Sequence, residues 1–185
     1  MATLKEIERV FECEGNTTVF PPFPTTLPAG GTVPLCSIIV CSHRAAYLVR
    51  AIINWSATFT PLASALALTS GGFAQVEFDL LRDGVVIERV FQTAPQVGFG
   101  VGIPFTTAST TFEIAAMQIL DTSSLVSDPP LSVFELRATN VILTPPLSTV
   151  GTVITPVGTT TAAVGAVSLV VEQIEARRNE STQAE

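Results

Sequence analysis

The chain has 185 residues, 47% of them hydrophobic and only 14% charged, with a net charge of −7 and a mean hydropathy of +0.50. The excess of acids leaves no basic stripe for a nucleic-acid backbone, and no run of about 18 uninterrupted apolar residues is present to form a membrane-spanning helix. Soluble domains usually carry roughly 25% charged residues, so this chain has surplus apolar surface, and burial between copies of itself is the simplest use for it.

Residues 1–31 read as an N-terminal arm. Their start lacks a basic stretch followed by an apolar one, so no cleavable signal peptide is expected. Thr3-Leu4-Lys5-Glu6 has capping-box spacing, and Leu4, Ile7 and Phe11 share a rough helical face. Ile7, Arg9 and Phe11 also alternate with Glu8, Val10 and Glu12, as in a strand, so helix and strand both stay open. Pro21, Pro22, Pro24 and Pro28 favour stiff, extended chain that can lie along another surface with little ordering cost. Ile7, Phe11, Phe20, Phe23 and Leu27 are the apolar residues with which such an arm would hold a neighbour.

Strand patterns begin after Gly31. Residues 33–42 and 45–59 are rich in Val, Ile and aromatic residues. The clearest element is a hairpin over residues 73–91. Ala74, Val76, Phe78 and Leu80 alternate with Gln75, Glu77 and Asp79, Arg82-Asp83-Gly84 supplies the turn, and a β-branched strand returns. The polar face of that hairpin is expected to mark solvent. Gly98, Gly100 and Gly102 lie in a flexible connection, and further strands are expected at 106–121, 131–143 and 162–174, with a short one at 150–155. Residues 175–185 form a polar tail. About seven to nine strands separated by Pro/Gly turns make an all-β protein, an antiparallel, jelly-roll-like β-sandwich over residues 32–174 with an extended N-terminal arm. Several strands are apolar on both faces, a sign of burial by a second sheet on one side and a neighbour on the other.

Chemistry-bearing residues are sparse. The three cysteines are Cys13, Cys36 and Cys41. Cys36 and Cys41 point to opposite faces of one strand and cannot bond to each other. An odd count with one cysteine on an arm fits an intersubunit disulfide from Cys13 to Cys36 or Cys41 of a neighbour; the alternative is three reduced cysteines. His43 is the single histidine, there is no CxxC spacing, and no metal site is expected. The glycines at 98–102 lack the strand–turn–helix context of a phosphate loop. Glu77, Asp79, Asp83 and Glu88 near Arg82 and Arg89 read as cross-strand salt pairs rather than a glycosidase pair. No catalytic residue and no cofactor is expected. Asn16 and Asn54 fit glycosylation sequons by chance.

Val76-Glu-Phe-Asp-Leu-Leu-Arg-Asp-Gly84, preceded by the strand at 46–55 and followed by Ala166-Val-Ser-Leu-Val-Val-Glu172, resembles the β-domains of spore-surface and exosporium proteins of spore-forming Firmicutes. The Cys13 arm is similar in design to the cysteine-bearing connector of endospore appendage subunits, although it has one cysteine and no Gly-X-Y stalk. The resemblance implies a structural role outside the cell or on a spore, reached without a signal peptide by release from the mother cell. The expectation is a non-enzymatic subunit whose partner is itself, assembling into a fibre or layer through its arm. A closed trimeric jelly roll for adhesion or carbohydrate binding is the alternative.

Overall fold

The computed structural model describes residues 3–20, 22–41, 45–62, 71–96, 108–123, 131–150 and 153–177. These residues form eleven strands: β1 (Thr3–Glu14), β2 (Thr25–Leu27), β3 (Val33–Cys41), β4 (Ala45–Pro61), β5 (Gly72–Arg82), β6 (Val85–Gln96), β7 (Ser109–Asp121), β8 (Leu131–Thr144), β9 (Leu147–Val150), β10 (Val153–Pro156) and β11 (Gly158–Arg177). One sheet has the order β1-β11-β4-β7, with β2 also on β11, and the other has the order β3-β8-β5-β6; every pairing is antiparallel. β9 and β10 form a separate small hairpin.

Among the principal strands the first pairs with the last (β1/β11), the next pair in from each end is β3/β8, then comes β4/β7, and β5/β6 is the innermost hairpin. That nesting is the wrapped ribbon of a jelly roll, so the expected all-β antiparallel sandwich is present and its topology is specified. The alternating side chains of both sheets meet in one core. Trp55 packs edge-on to Phe78 at 6.1 Å, and Tyr47 to Phe134 at 5.4 Å, between ring centroids. Fully burying side chains of this size contributes about 1.5–3 kcal/mol each.

The β5/β6 turn follows the sequence reading. Arg82 pairs with Val85, so Asp83 and Gly84 are the two turn residues, with φ of 51° and 81°. Positive φ at both positions is the type I′ geometry that matches strand twist. The turn is also docked: the Asp83 N–H donates to the Val133 carbonyl (2.8 Å), and the Val133 N–H donates to Asp83 Oδ1 (2.7 Å).

The N-terminal segment is a correction. Residues 1–31 were expected to form an arm outside a sandwich starting at 32, but β1 and β2 both hydrogen-bond to β11 within the sheet. Of the two conformations open for residues 3–14, the strand is the one formed, because Phe11 and Cys13 alternate inward onto the core while β11 satisfies the backbone. At the other end β11 runs to Arg177, three residues past the expected limit of 174. The short strand expected at 150–155 is the β9/β10 hairpin. His43, Gly98, Gly100 and Gly102 lie outside the described residues.

Candidate assembly surface

The outward side of the β1-β11-β4-β7 sheet is a grid set by register. One row is Val10, Glu172, Leu48 and Leu120; the next is Glu12, Val170, Arg50 and Gln118; the next is Glu14, Ser168, Ile52 and Ala116. Ile114 and Phe112 continue β7 beside Asn54 and Ser56. Ile52, Phe112, Ile114 and Leu120 are all exposed, Ile114 at 64%. Arg50 is paired to Glu172 within the face. Four of the even positions of β7, Phe112, Ile114, Ala116 and Leu120, are therefore apolar and outward, with Gln118 among them, while Ala115, Met117 and Ile119 point to the core.

A strap crosses this face between β1 and β2. The Gly15 N–H donates to the Val167 carbonyl (3.0 Å), and the Val167 and Ala166 N–H groups donate to the carbonyls of Asn16 (3.1 Å) and Thr18 (2.7 Å). Asn16 Oδ1 accepts from the Thr18 N–H at 3.0 Å and tightens the bend. At its far end Phe23 lies over Gly165, where an added Cβ would sit 2.5 Å from the ring, and meets Phe112 edge-on at 6.2 Å. Beneath the strap is a groove of about 280 Å³ lined by Glu14, Asn16, Thr17, Val19, Ile52, Asn54, Ala166, Val167 and Ser168.

The residues expected to contact a neighbour divide. Leu27 is in the core and Phe23 is buried against its own sheet, so neither is available to a partner; Phe11 packs partly on the core. Ile7 (51%) and Phe20 (79%) remain exposed. Cys13 bonds to Cys36 of its own chain, with Cα atoms 6.3 Å apart, in place of the expected bond to a neighbour. Antiparallel pairing of β1 with β11 brings Cys13, on the edge of one sheet, over Cys36, on the edge of the other. Cys41 is free and exposed, on the opposite face of β3 from Cys36.

The polar face of the β5/β6 hairpin is a second correction. Glu77 and Asp79 are buried rather than solvated, because β5 is a central strand and basic residues on both neighbours cover them. Asp79 is in register with Arg89 on one side and Arg137 on the other. Arg89 donates from Nε (2.7 Å) and Nη2 (3.2 Å) to the two oxygens of Asp79, and its Nε also lies 2.6 Å from Glu77 Oε1. Arg137 Nε is 3.8 Å from Asp79. Cross-strand salt pairs are thus present, but as a network on the buried Glu77 and Asp79 in place of the expected solvent-facing pairs.

A further ion pair, which pattern reading did not find, closes one end of the core. Arg82, 6% exposed, donates to Asp121 Oδ2 (2.5 Å), Ser123 Oγ (2.5 Å) and Ser132 Oγ (3.0 Å). Its guanidinium lies 5.4 Å from the Tyr47 ring centroid and 5.8 Å from that of Phe134. Burial pushes the Asp121 carboxyl upward, but the Ser123 N–H and hydroxyl and the Arg82 charge outweigh it and hold the pKa below the ordinary carboxylate value. Its oxygens are engaged by these partners, as expected of a structural residue. Among the described residues no group of three or more His, Cys, Asp or Glu is placed to hold a metal.

No protein-family model matches the chain, and no curated protein does. Among solved structures, dimeric latent PorU from Porphyromonas gingivalis superposes at a TM-score of 0.37 and 8% identity over 100% of this chain. The T13 viral particle of IBDV does so at 0.29 and 12% identity over 94%. The chain spans 15% and 41% of those two chains' lengths. At these values neither likeness bears on function.

Proposed function

We propose that the protein is a non-enzymatic structural subunit that assembles with copies of itself into an extracellular or spore-surface fibre or layer. The observation that carries this reading is the exposed apolar row of Ile52, Phe112, Ile114 and Leu120 on the outer side of one sheet. A monomer gains nothing from a flat sheet face that keeps large apolar groups in water, whereas a subunit buries them on assembly. The contact differs from a free arm: the strap and the sheet face it crosses present the surface together. The intrachain disulfide is compatible with an oxidising, extracellular setting, and the spore surface follows from the sequence resemblance.

The carbohydrate-binding alternative is disfavoured by the placement of the rings best suited to stacking on sugars. The single Trp and single Tyr, Trp55 and Tyr47, are both fully buried.

Negative-stain microscopy of the purified chain over a concentration series tests the proposal. Fibres or layers are expected, and they should be lost on Ile114→Asp. Particles no larger than a dimer at every concentration would sink the assembly role. Deleting residues 1–28 is unsuitable here, since it removes β1, β2 and Cys13.

A further inference from the structure

We propose that this sheet face pairs with the same face of a second copy, and that Phe20 of each copy seats in the strap groove of the other. The inference rests on the assembly reading above and names its first contact.

Phe20 has the highest exposure of the large hydrophobic residues described, at 79%. It is held out rather than left loose. Two residues before it, the Thr18 carbonyl accepts from Ala166, and three residues after it Phe23 is packed on Gly165 and Phe112. A side chain presented by a pinned strap loses little freedom on docking, which lowers the cost of binding. The groove, about 280 Å³, lies just below the roughly 300–1,000 Å³ of small-molecule sites and suits one aromatic ring. Its apolar lining comes from Val19, Ile52, Ala166 and Val167, with Glu14, Asn16 and Asn54 as polar neighbours.

The area and the symmetry both fit a second copy. Four strands at about 4.8 Å spacing, over β7's thirteen residues at about 3.4 Å each, make a face of roughly 800 Å², the share one partner contributes to a standard interface. Ile52 and Asn54 belong to β4, and Ala166 and Ser168 to β11, the two central strands of the sheet. A two-fold axis along the strands between them would bring groove over groove, with each Phe20 beside the other's opening. The same axis lays each β1, with Glu12 and Glu14, over the partner copy's β7, where Gln118 and Ala116 stand in the matching rows, so the acidic edges stay apart. Knob and groove lie on one face, so the contact is reciprocal and closed, and growth beyond a dimer uses another surface.

Sedimentation of the full chain over a concentration series, with folding checked by circular dichroism, tests this. Wild type should dimerise. Phe20→Asp removes the knob, Ala166→Trp fills the groove, and since each variant loses both copies of the contact, each should raise Kd about 1,000-fold, two aromatic hot spots of about 30-fold apiece. An equimolar mixture of the two variants restores one knob and one groove, so it should associate more tightly than either alone; misfolded variants could not produce that result. A monomeric wild type, an unchanged Kd for Phe20→Asp, or a mixture no tighter than its parts overturns the proposal. Dimers that never extend leave this contact standing and remove the assembly role. Fibres that survive Phe20→Asp with Kd unchanged do the reverse.

Discussion

Replacing Cys13 and Cys36 together by serine removes the covalent tie between the edges of the two sheets. The two cysteines are separated by 23 positions. Closing a loop of that length in the unfolded chain is worth roughly 3.4 kcal/mol at 25 °C in the chain-entropy treatment. The folded state should survive the change, since β1 keeps its ladder to β11 from Thr3↔Arg177 to Glu14↔Ser168. Urea unfolding can be followed through Trp55, the single tryptophan, which is fully buried. With a slope of about 2 kcal/mol/M, the midpoint should fall by about 1.7 M relative to the oxidised wild type. Alkylation of the unfolded, unreduced wild type should label one thiol per chain, at Cys41, because Cys13 and Cys36 are bonded to each other. Three labelled thiols, a Cys13-dependent dimer band on a non-reducing gel, or coincident urea midpoints would refute the reasoning.

Asp121→Asn should cost about 3–5 kcal/mol in denaturant unfolding, because it strands the Arg82 charge in a site only 6% exposed, and adding Arg82→Met should recover part of that loss. The Asp121 pKa is lowered on folding. Its contribution is therefore complete above the unfolded value, about 3.9, and fades as pH falls through the lower folded value. A stability profile against pH should accordingly drop more steeply in wild type than in Asp121→Asn below about pH 4. Gly165→Ala should force Phe23 and the Thr18 carbonyl away from β11, cost about 1–3 kcal/mol, and speed hydrogen exchange at the Ala166 N–H.

The parts of the fold that were legible in the sequence are those set by local chemistry. Asp83-Gly84 marks its turn because few residues accept positive φ, and period-two alternation placed β5 and β8 within a residue or two. What depended on distant partners was not legible. Residues 3–14 fit helix and strand alike because the deciding partner, β11, is at the far end of the chain. Cysteine spacing cannot reveal which edges a wrapped topology superposes, so the intrachain course of the Cys13 bond is not legible in it. Glu77 and Asp79 read as solvent-facing because the register that sets Arg89 and Arg137 beside them is a tertiary fact. The apolar surplus of the chain and of several strands is visible, and so is the inference that something covers it; the groove is not, since it exists only where the strap crosses two other strands.

The pairing of β1 with β11 also governs how the molecule is made. β1 is made well before its sheet partner β11, so it can find no native ladder until β11 has been synthesised. Contacts of such long sequence separation slow folding into the millisecond-to-second range. Until β11 arrives, Cys13 is a mobile thiol, free to meet Cys36 or Cys41 without guidance from the sheet. Correct oxidation therefore belongs after translation, once docking of the final strand has selected Cys36.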